Sequence, residues 1–402
     1  MAAFQVPTGL QRDFCLHSDA RANIAHGAVR SSKTVGANLR WLKAVLEAPE
    51  DVNLLMTGRT LGALERNVLH PLSKLVGPQN FDFKRSLKRV YIYGREVWCE
   101  GANDESAYAK IEGETLGGAY VDEGSLHPES FFNMLITRLS EEGAQLFMTT
   151  NPGGPAHYLK KKWLDREGEL DLKSWHFRLE DNPHLDPRYV EELKRQFGPP
   201  TSLFYRRYIL GEWVAAEGAV YPHFDRALHV VPSIPDGPMK SMVVGIDYGA
   251  THPTAFLKLG RWGGCWYVFG EYRESDRTNA RLSKDLRGFL AGKFPVAILA
   301  DPSAKSFILQ LRADGVQRVR GADNSVLDGI GRVSSALSTG ALKIVGPACP
   351  RLIEEIEAYR WDPKATERGE DRPVKEGDDL LDALRYAANY IFRYNPGGLS
   401  SS

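Results

Sequence analysis

The sequence predicts an α/β protein made of two domains, each built around its own β-sheet. Apolar runs of strand length alternate with stretches of helical periodicity from about residue 4 to residue 162, and a similar series begins near residue 241. A stretch that contains several prolines separates the two series. The chain has 402 residues, of which 43% are apolar, and this is enough for two hydrophobic cores.

The first element with a chemical signature is a phosphate-binding loop. Residues 26–34, HGAVRSSKT, match G-x-x-x-x-G-K-[ST] except that Ser32 replaces the second glycine. In such a loop, backbone N–H groups surround the phosphates, Lys33 reaches the β- and γ-phosphate oxygens, and Thr34 ligates Mg²⁺. Apolar residues then recur at helical spacing and predict a helix packed on a sheet, namely Val35, Leu39, Leu42 and Leu46. The loop motif alone is weak, because chance loops also precede helices.

Two further strand-like runs end in polar residues. The run 116–121 stops at Asp122 and Glu123, as a Walker B strand does; Asp122 would hold Mg²⁺ through water, and Glu123 would deprotonate the attacking water. The run 145–148 leads to Asn151, at a position where a side chain can sense the γ-phosphate. Together the three segments predict a P-loop ATPase domain with a parallel-rich central sheet and flanking helices.

The second half carries carboxylates on separated elements. A buried-strand pattern that begins at Met242 contains Asp247 and is followed by two hairpin partners, as in the ribonuclease H-like layout. Another strand ends in Asp301, and Asp379 and Asp382 share one face of a C-terminal helix. A two-metal nuclease needs such carboxylates, because they must hold cations about 3.5–4 Å apart.

In combination these motifs resemble the large terminase subunit of tailed bacteriophages and prophages. The resemblance runs from the loop at Gly27 to Tyr386, and it includes Gly-Glu-Trp at 211–213 and Val-Tyr-Pro at 220–222. It implies an ATP-driven motor that translocates double-stranded viral DNA into a procapsid and a metal-dependent endonuclease that cuts concatemeric DNA.

By position, the resemblance also implies roles for individual residues. The implied catalytic residues are Glu123, Arg138, Asp247, Asp301 and Asp382. The implied nucleotide contacts are Gly27, Arg30, Ser31, Ser32, Lys33, Thr34, Asp122 and Asn151. The implied metal ligands are Thr34, Asp122, Asp247, Asp301, Asp379 and Asp382, with Asp379 at a position where some relatives have histidine.

The sequence does not decide which arginine completes the ATPase site. Arg138 lies on a helical stretch after Glu123, similar to where relatives carry an arginine that acts on the neighbouring subunit. Arg30, inside the loop, could act within its own subunit instead. Either residue could equally be a solvated arginine in ordinary salt bridges.

The implied cofactors are ATP and Mg²⁺, with Mn²⁺ as an alternative in the nuclease site. The implied partners are double-stranded DNA, the small terminase subunit, the portal protein and other copies of the chain. On the portal these copies would form a pentameric ring, and in solution the chain would be a monomer. No apolar run could span a bilayer, no signal peptide is present, and the four cysteines are scattered. The expected location is the reducing host cytoplasm and, transiently, the procapsid portal, with no membrane contact.

Composition also predicts domain boundaries. Residues 1–174 would form the ATPase core, 175–213 a lid subdomain, 214–240 a stiff non-helical linker, 241–395 the nuclease domain and 396–402 a disordered tail. Two other functions fit parts of the sequence. One is a cellular P-loop ATPase-nuclease of recombination or repair, and the other is a prophage remnant that binds DNA without hydrolysing ATP, for which Ser32 is a hint.

Overall fold

A computed structural model of the chain describes residues 7–249 and 252–392. It divides into two compact units that interleave along the sequence. The first consists of 1–186, 205–215 and 367–370, and the second of 187–204, 216–366 and 371–402. The predicted tail, 396–402, and the last residues of the predicted nuclease domain, 393–395, lie outside the described residues.

The first unit is built on an eight-stranded sheet. Its strands are β1 Ala22–Gly27, β2 Asn53–Gly58, β3 Phe81–Lys84, β4 Arg89–Ile92, β5 Arg95–Gly101, β6 Leu116–Val121, β7 Gln145–Thr150 and β8 Leu172–Phe177. In the order β3-β4-β5-β2-β6-β7-β1-β8, every pair from β5 to β8 is parallel, and the β3–β4–β5 edge is antiparallel. The predicted parallel-rich sheet is therefore confirmed, and the carboxyl ends of β1, β6 and β7 meet at one edge.

Helices cover both faces of this sheet. They are α1 Gly9–His17, α2 Lys33–Glu47, α3 Leu61–Leu64, the π-helix Glu65–Leu69, α4 His70–Val76, α5 Glu129–Arg138 and α6 Tyr158–Lys162. One apolar layer contains Trp41 of α2, and the other contains Phe131 and Phe132 of α5.

The predicted packing face of α2 is wrong at Val35 and Leu46, whereas Leu42 packs partly against the core. Val35 and Leu46 are 47% and 56% exposed, whereas Ala37, Trp41 and Val45 are buried. Both faces of this helix carry apolar residues at a spacing of three to four, so periodicity alone does not choose between them. The indole decides, because its ring centroid lies 6.1 and 6.2 Å from aromatic rings on β6 and β7.

The second unit is built on a seven-stranded sheet. Its strands are β9 Val230–Val231, β10 Ser241–Asp247, β11 Thr254–Trp262, β12 Cys265–Glu274, β13 Ala297–Ala300, β14 Val319–Gly321 and β15 Leu342–Val345. The order is β14-β13-β10-β11-β12-β15-β9, with β10, β11 and β12 antiparallel and the other pairs parallel. The predicted hairpin strands behind Asp247 are confirmed.

The remaining helices belong wholly or partly to this unit. They are α7 Pro187–Gln196, α8 Leu203–Tyr208, α9 Arg226–His229, α10 Asn279–Leu290, α11 Lys305–Ala313, α12 Val326–Ser338, α13 Pro350–Ala358, α14 Pro363–Glu367 and α15 Asp379–Ile391. Helix α15 crosses β10 at Gly245, where an added Cβ would lie 1.9 Å from the carbonyl oxygen of Ala383. Only glycine allows this approach, which brings the acids of α15 to the end of β10.

The structure corrects the predicted lid and linker. Residues 172–177 form a strand of the first sheet, and 187–204 pack with the second unit, where α7 contacts α12 and the ring of Phe204 lies against Gly331. The linker is not free of regular structure, since it contains helix α9 and strand β9. The prolines of residues 214–240 predicted a stiff segment, but they could not show that part of it pairs with β15 as strand β9.

No helix within residues 7–249 and 252–392 is long and apolar enough to cross a bilayer.

Candidate nucleotide and metal sites

The phosphate-binding loop joins β1 to α2 and turns through three left-handed residues. Gly27, Arg30 and Ser32 have φ of 131°, 57° and 67°. At Gly27, an added Cβ would lie 2.0 Å from the carbonyl oxygen of Phe177 on β8, so the loop begins against the neighbouring strand. Ser32 stands in the backbone conformation that a glycine would adopt without strain, and the departure from the motif therefore preserves the shape of the loop.

Residues of the predicted 211–213 motif hold the loop from the other side. Gly211 has φ of 72°, and an added Cβ there would lie 2.7 Å from the backbone nitrogen of Ala28. The indole N–H of Trp213 donates to Nδ1 of His26 at 3.4 Å. The Gly-Glu-Trp motif, which in the sequence served only as part of the family resemblance, therefore packs against the phosphate-binding loop.

Lys33 fills the loop with its ammonium group. Its Nζ donates to the carbonyl oxygens of Gly27 and Ala28 at 3.1 and 2.5 Å and to Oδ1 of Asn151 at 3.1 Å. The side chain is 8% exposed, and burial lowers its pKa against the opposing effect of two nearby carboxylates. The cation is therefore held on backbone oxygens at the mouth of α2, where a phosphate would give it a stronger partner.

Asn151 connects Lys33 to Glu123, the second of the two acids after β6. Its Nδ2 donates to both oxygens of Glu123, at 3.1 and 3.3 Å. The Oδ1 of Asp122 accepts from Thr149 Oγ1 at 3.0 Å, and Oδ2 accepts from Asn67 Nδ2 at 3.3 Å. Asp122 is buried, and desolvation raises its pKa. The structure therefore brings together the acids, the lysine and the polar strand end that the sequence predicted.

The other predicted nucleotide contacts lie in the loop with different surroundings. Ser31 is buried and donates to the carbonyl oxygen of Ala28 at 2.8 Å. Thr34 is half-buried in the first turn of α2, and within the described part of the chain its hydroxyl has no hydrogen-bond partner. Arg30 is exposed, and its carbonyl oxygen accepts from Asn182 Nδ2 at 2.7 Å.

Asn67 was missed by the sequence reasoning. It lies in the π-helix after β2, a strand that pairs with β6, and only this pairing brings it to Asp122. π-Helical turns are frequent at functional sites, but no sequence pattern marks this one.

Arg138 lies at the opposite edge of the sheet from the loop. It ends α5, and the guanidinium of Arg21, just before β1, donates to the carbonyl oxygen of Leu139 at 3.0 Å. The six residues of β1 separate this edge from the loop, so Arg138 is roughly 20 Å from its own phosphate site. Its Nε donates to Thr137 Oγ1, and no ion pair of Arg138 occurs among the described residues. The end of α5 that carries Arg138 therefore lies far from the phosphate-binding loop of its own chain.

In the second unit, Asp247 ends β10 and Asp301 directly follows the adjacent parallel strand β13, so the two acids meet. The hydroxyl of Tyr386 donates to Asp301 Oδ2 at 2.7 Å and lies 3.5 Å from Asp247 Oδ1. Burial, with a contribution from the nearby Asp382, raises the pKa of Asp247 to about 7. The pKa of Asp301 is lowered: burial acts against this, but hydrogen bonds from Ser303 and Tyr386 outweigh it. A phenol thus ties together two predicted metal ligands.

Asp382 has a basic group on each of its oxygens. Lys375 Nζ lies 2.8 Å from Oδ2 and also 3.3 Å from Oδ2 of Asp378. Arg385 Nη2 lies 2.6 Å from the other oxygen of Asp382. A divalent cation at this carboxylate would therefore have to replace an existing ion pair.

Asp379 pairs with a basic side chain, and the helix that it begins is capped by a glutamate. Arg273 Nη2 lies 2.7 Å from Asp379 Oδ2. Glu355 accepts the backbone N–H groups of Leu380 and Leu381 at 3.0 and 3.1 Å, and so it caps α15. Burial raises the pKa of Glu355 to about 8. Neither Arg273 nor Glu355 was marked by the sequence, because both reach α15 from elements far away along the chain.

His252 is a further candidate ligand that sequence reasoning missed. One ligand atom each of Asp247, His252 and Asp379 lies within 4.8 Å of the others. The carboxylates and this imidazole are donor groups suited to a divalent cation.

Comparisons with known proteins agree with this arrangement. Residues 45–228 match a family model described as terminase large subunit, T4likevirus-type, N-terminal, and residues 244–390 match one described as terminase RNaseH-like domain. The crystal structure of the large terminase from a thermophilic bacteriophage is 34% identical and superposes with a TM-score of 0.89 over 96% of this chain and 100% of its own. This chain belongs to the large terminase family.

Two further crystal structures of the same phage enzyme are similar to the chain over the same shares of both. The complex with ADP has 34% identity and a TM-score of 0.90, and the complex with ATP-gamma-S has 35% identity and a TM-score of 0.88. No similar protein was found among those of curated function. As a terminase large subunit, the chain combines an ATPase domain, its first unit, with a ribonuclease H-like nuclease domain, its second. The alternative of a cellular recombination or repair enzyme is thereby set aside.

Proposed function

We propose that this terminase binds ATP in the loop of its first unit and hydrolyses it to drive double-stranded DNA into a procapsid. The observation that carries the proposal is the chain of contacts from Lys33 through Asn151 to Glu123. The ADP and ATP-gamma-S complexes of the phage relative support nucleotide binding.

Each residue has a defined task in this proposal. Lys33 exchanges the loop carbonyls for the β- and γ-phosphate oxygens, while the N–H groups at the start of α2 bind the same phosphates. Thr34 and Asp122 would hold Mg²⁺, which neutralises charge on the phosphates. The Thr34 hydroxyl fits because it has no hydrogen-bond partner among residues 7–249 and 252–392, and Asp122 fits because it is buried beside the loop. Glu123 takes the proton of the attacking water, and Asn151 keeps its carboxylate oriented.

Measuring ATP turnover with and without double-stranded DNA tests this proposal. We expect Lys33→Ala to lose turnover, and Glu123→Gln to retain ATP binding while losing hydrolysis. An exposed lysine in the same unit, as in Lys43→Ala, provides a matched control with parental turnover. Glu123→Gln protein that hydrolyses ATP at the parental rate contradicts the assignment of the base. A parent protein that binds DNA without turnover would instead be the non-hydrolysing remnant.

For the arginine finger we propose Arg138 acting in trans. Its position at the far edge of the sheet supports action on a neighbouring subunit in a ring, where an arginine finger contributes on the order of 10³–10⁵ in rate. Mixing Arg138→Ala with Lys33→Ala protein should restore part of the turnover, at interfaces that pair an intact loop with an intact finger. If assembled mixtures never recover activity, Arg30 acting in cis becomes the better candidate.

For the second unit we propose a two-metal endonuclease that cuts concatemeric DNA. Asp247, Asp301, Asp382 and Asp379 would hold Mg²⁺ or Mn²⁺, which activates water and stabilises the leaving oxygen. The elevated pKa of Asp247 supports the fit, because burial and, next, the nearby Asp382 disfavour its negative charge, and a bound cation would offset both. An ion at Asp382 would take the place of Lys375 or Arg385 on that carboxylate.

We further propose the small terminase subunit, the portal protein and a ring of identical subunits as partners, in the host cytoplasm and at the procapsid portal. Packaging of DNA by purified protein, small subunit and portal-bearing procapsids tests this directly. We expect DNA protected from nuclease only when ATP and all components are present. Protection without the portal would contradict this partner.

A further inference from the structure

We propose that His252 ligates a divalent cation together with Asp247 and Asp379, and that its imidazole makes this position prefer Mn²⁺ to Mg²⁺. The proposal rests on the metal-dependent nuclease function proposed above and deepens it. The predicted ligand set consisted of carboxylates alone, which favour hard cations; one nitrogen donor changes the selectivity of the site.

The distances among the three side chains fit one shared ion. His252 Nδ1 lies 3.3 Å from Asp379 Oδ1. Two ligand atoms that are each ~2.1 Å from a cation and at right angles to each other are ~3.0 Å apart. The third donor, Asp247, keeps the group within 4.8 Å, and modest side-chain rotation would close it around an ion.

The surrounding contacts leave this part of the site open to a cation. Arg273 takes Oδ2 of Asp379, which directs Oδ1 toward His252. By contrast, both oxygens of Asp382 face the basic groups of Lys375 and Arg385. A first ion entering between Asp247, His252 and Asp379 leaves the Arg273–Asp379 ion pair in place, whereas an ion at Asp382 must displace a charged side chain.

Gly249 and Thr254, which flank His252 in the sequence, are hydrogen-bonded to each other. The backbone N–H of Gly249 donates to Thr254 Oγ1 at 3.2 Å, and the same hydroxyl donates back to the Gly249 carbonyl oxygen at 3.3 Å. An added Cβ at Gly249 would lie 2.0 Å from the carbonyl oxygen of His252 and 2.6 Å from its Nδ1. A side chain at position 249 would therefore collide with His252, and Gly249→Ala should displace the imidazole from Asp247 and Asp379.

The imidazole determines the class of metal. Mg²⁺ takes oxygen ligands almost exclusively, whereas Mn²⁺ accepts oxygen and nitrogen, and affinity for such mixed sites rises further toward Co²⁺. Losing the nitrogen donor should therefore weaken Mn²⁺ binding by about tenfold or more and leave Mg²⁺ binding within about threefold. The ratio of the two affinities is the quantity that His252 controls.

Electron spin-echo spectroscopy on full-length, nucleotide-free protein loaded with Mn²⁺ tests the direct bond. We expect modulation from the nitrogen of an imidazole in the parent protein, lost in His252→Ala and in Asp247→Asn. The exposed His184 of the other unit supplies the control, since His184→Ala should keep the modulation. Calorimetric titration with Mn²⁺ and with Mg²⁺ then gives the affinity ratio, and Gly249→Ala should lower it as His252→Ala does.

The outcomes separate this inference from the function on which it rests. Bound Mn²⁺ without nitrogen modulation, in protein that still cuts DNA, overturns the role of His252 and leaves the nuclease intact. An unchanged Mn²⁺ to Mg²⁺ ratio in His252→Ala overturns it as well. Protein that neither binds Mn²⁺ nor cuts DNA with any divalent ion contradicts both. Parental ATP turnover in each variant verifies that the chain is folded.

Discussion

Replacing Asn151 with alanine should slow ATP hydrolysis while leaving ATP binding nearly intact. The amide contacts both Lys33 and Glu123, accepting from the first at 3.1 Å and donating to the second at 3.1 and 3.3 Å. Lys33 keeps its bonds to loop carbonyls when Asn151 is truncated, so its position is preserved. Glu123 loses the donor that orients it.

The size of the effect follows from the type of bond that is lost. A hydrogen bond to a charged group contributes about 1.5–3 kcal/mol. Because 1.36 kcal/mol corresponds to a factor of ten in rate, Asn151→Ala should lower kcat by roughly 10–150-fold. The affinity for a non-hydrolysable ATP analogue should change by less than about threefold, since the phosphate contacts come from the loop and Lys33.

The assay measures kcat by steady-state phosphate release and affinity by calorimetry with the analogue. Asn133, exposed on α5 and remote from the loop, gives the control Asn133→Ala with parental values. Asn151→Asp should be at least as slow and should also bind the analogue more weakly, because the new carboxylate repels Glu123 and the γ-phosphate. If Asn151→Ala turns over within twofold of the parent, the contact chain from the loop to the base has no catalytic role.

Three further predictions concern the backbone of Ser32, the burial of His127 and the hydrogen bond from Tyr386 to Asp301. Ser32→Gly should leave the free energy of unfolding within about 1 kcal/mol of the parent, because relief of the left-handed backbone strain offsets the added freedom of the unfolded chain. Ser32→Val should lower the free energy of unfolding by more than about 1 kcal/mol in urea denaturation, because a β-branched residue is strained at this φ. Burial lowers the pKa of His127 from 6.5 to about 4, so its neutral form contributes stability that is complete above pH 6.5 and is lost as pH falls toward 4. Urea denaturation of His127→Gln should therefore depend less on pH in that window, by up to about 3 kcal/mol; an equal slope would contradict the assignment. Tyr386→Phe should slow DNA cleavage by about tenfold or more without affecting ATP turnover, since the phenol donates to Asp301, and cleavage at the parental rate would deny it a positioning role.

The fold and the order of the acidic residues could be predicted because each depends on a short, continuous stretch of sequence. A strand followed directly by Asp122 and Glu123, or by Asp301, needs no knowledge of distant contacts. Parallel strands place such residues at one edge of a sheet, so the predicted groups met where expected in each unit.

What could not be predicted depends on which distant segments touch. The buried face of α2 is chosen by Trp41 against rings of two strands, although Val35 has the same helical spacing. Asn67 and Lys375 reach Asp122 and Asp382 from segments without a motif. The lid boundary failed for the same reason, since the partners of 187–204 lie in the second unit.

A paired measurement on the same samples tests whether one chain carries two separable hydrolytic sites. ATP turnover and Mn²⁺-dependent nicking of supercoiled plasmid are recorded for the parent, for Glu123→Gln and for Asp301→Ala. We expect Glu123→Gln to lose turnover and keep nicking, and Asp301→Ala to keep turnover and lose nicking. Loss of both activities in either folded variant, or nicking by Asp301→Ala at the parental rate, would contradict the account.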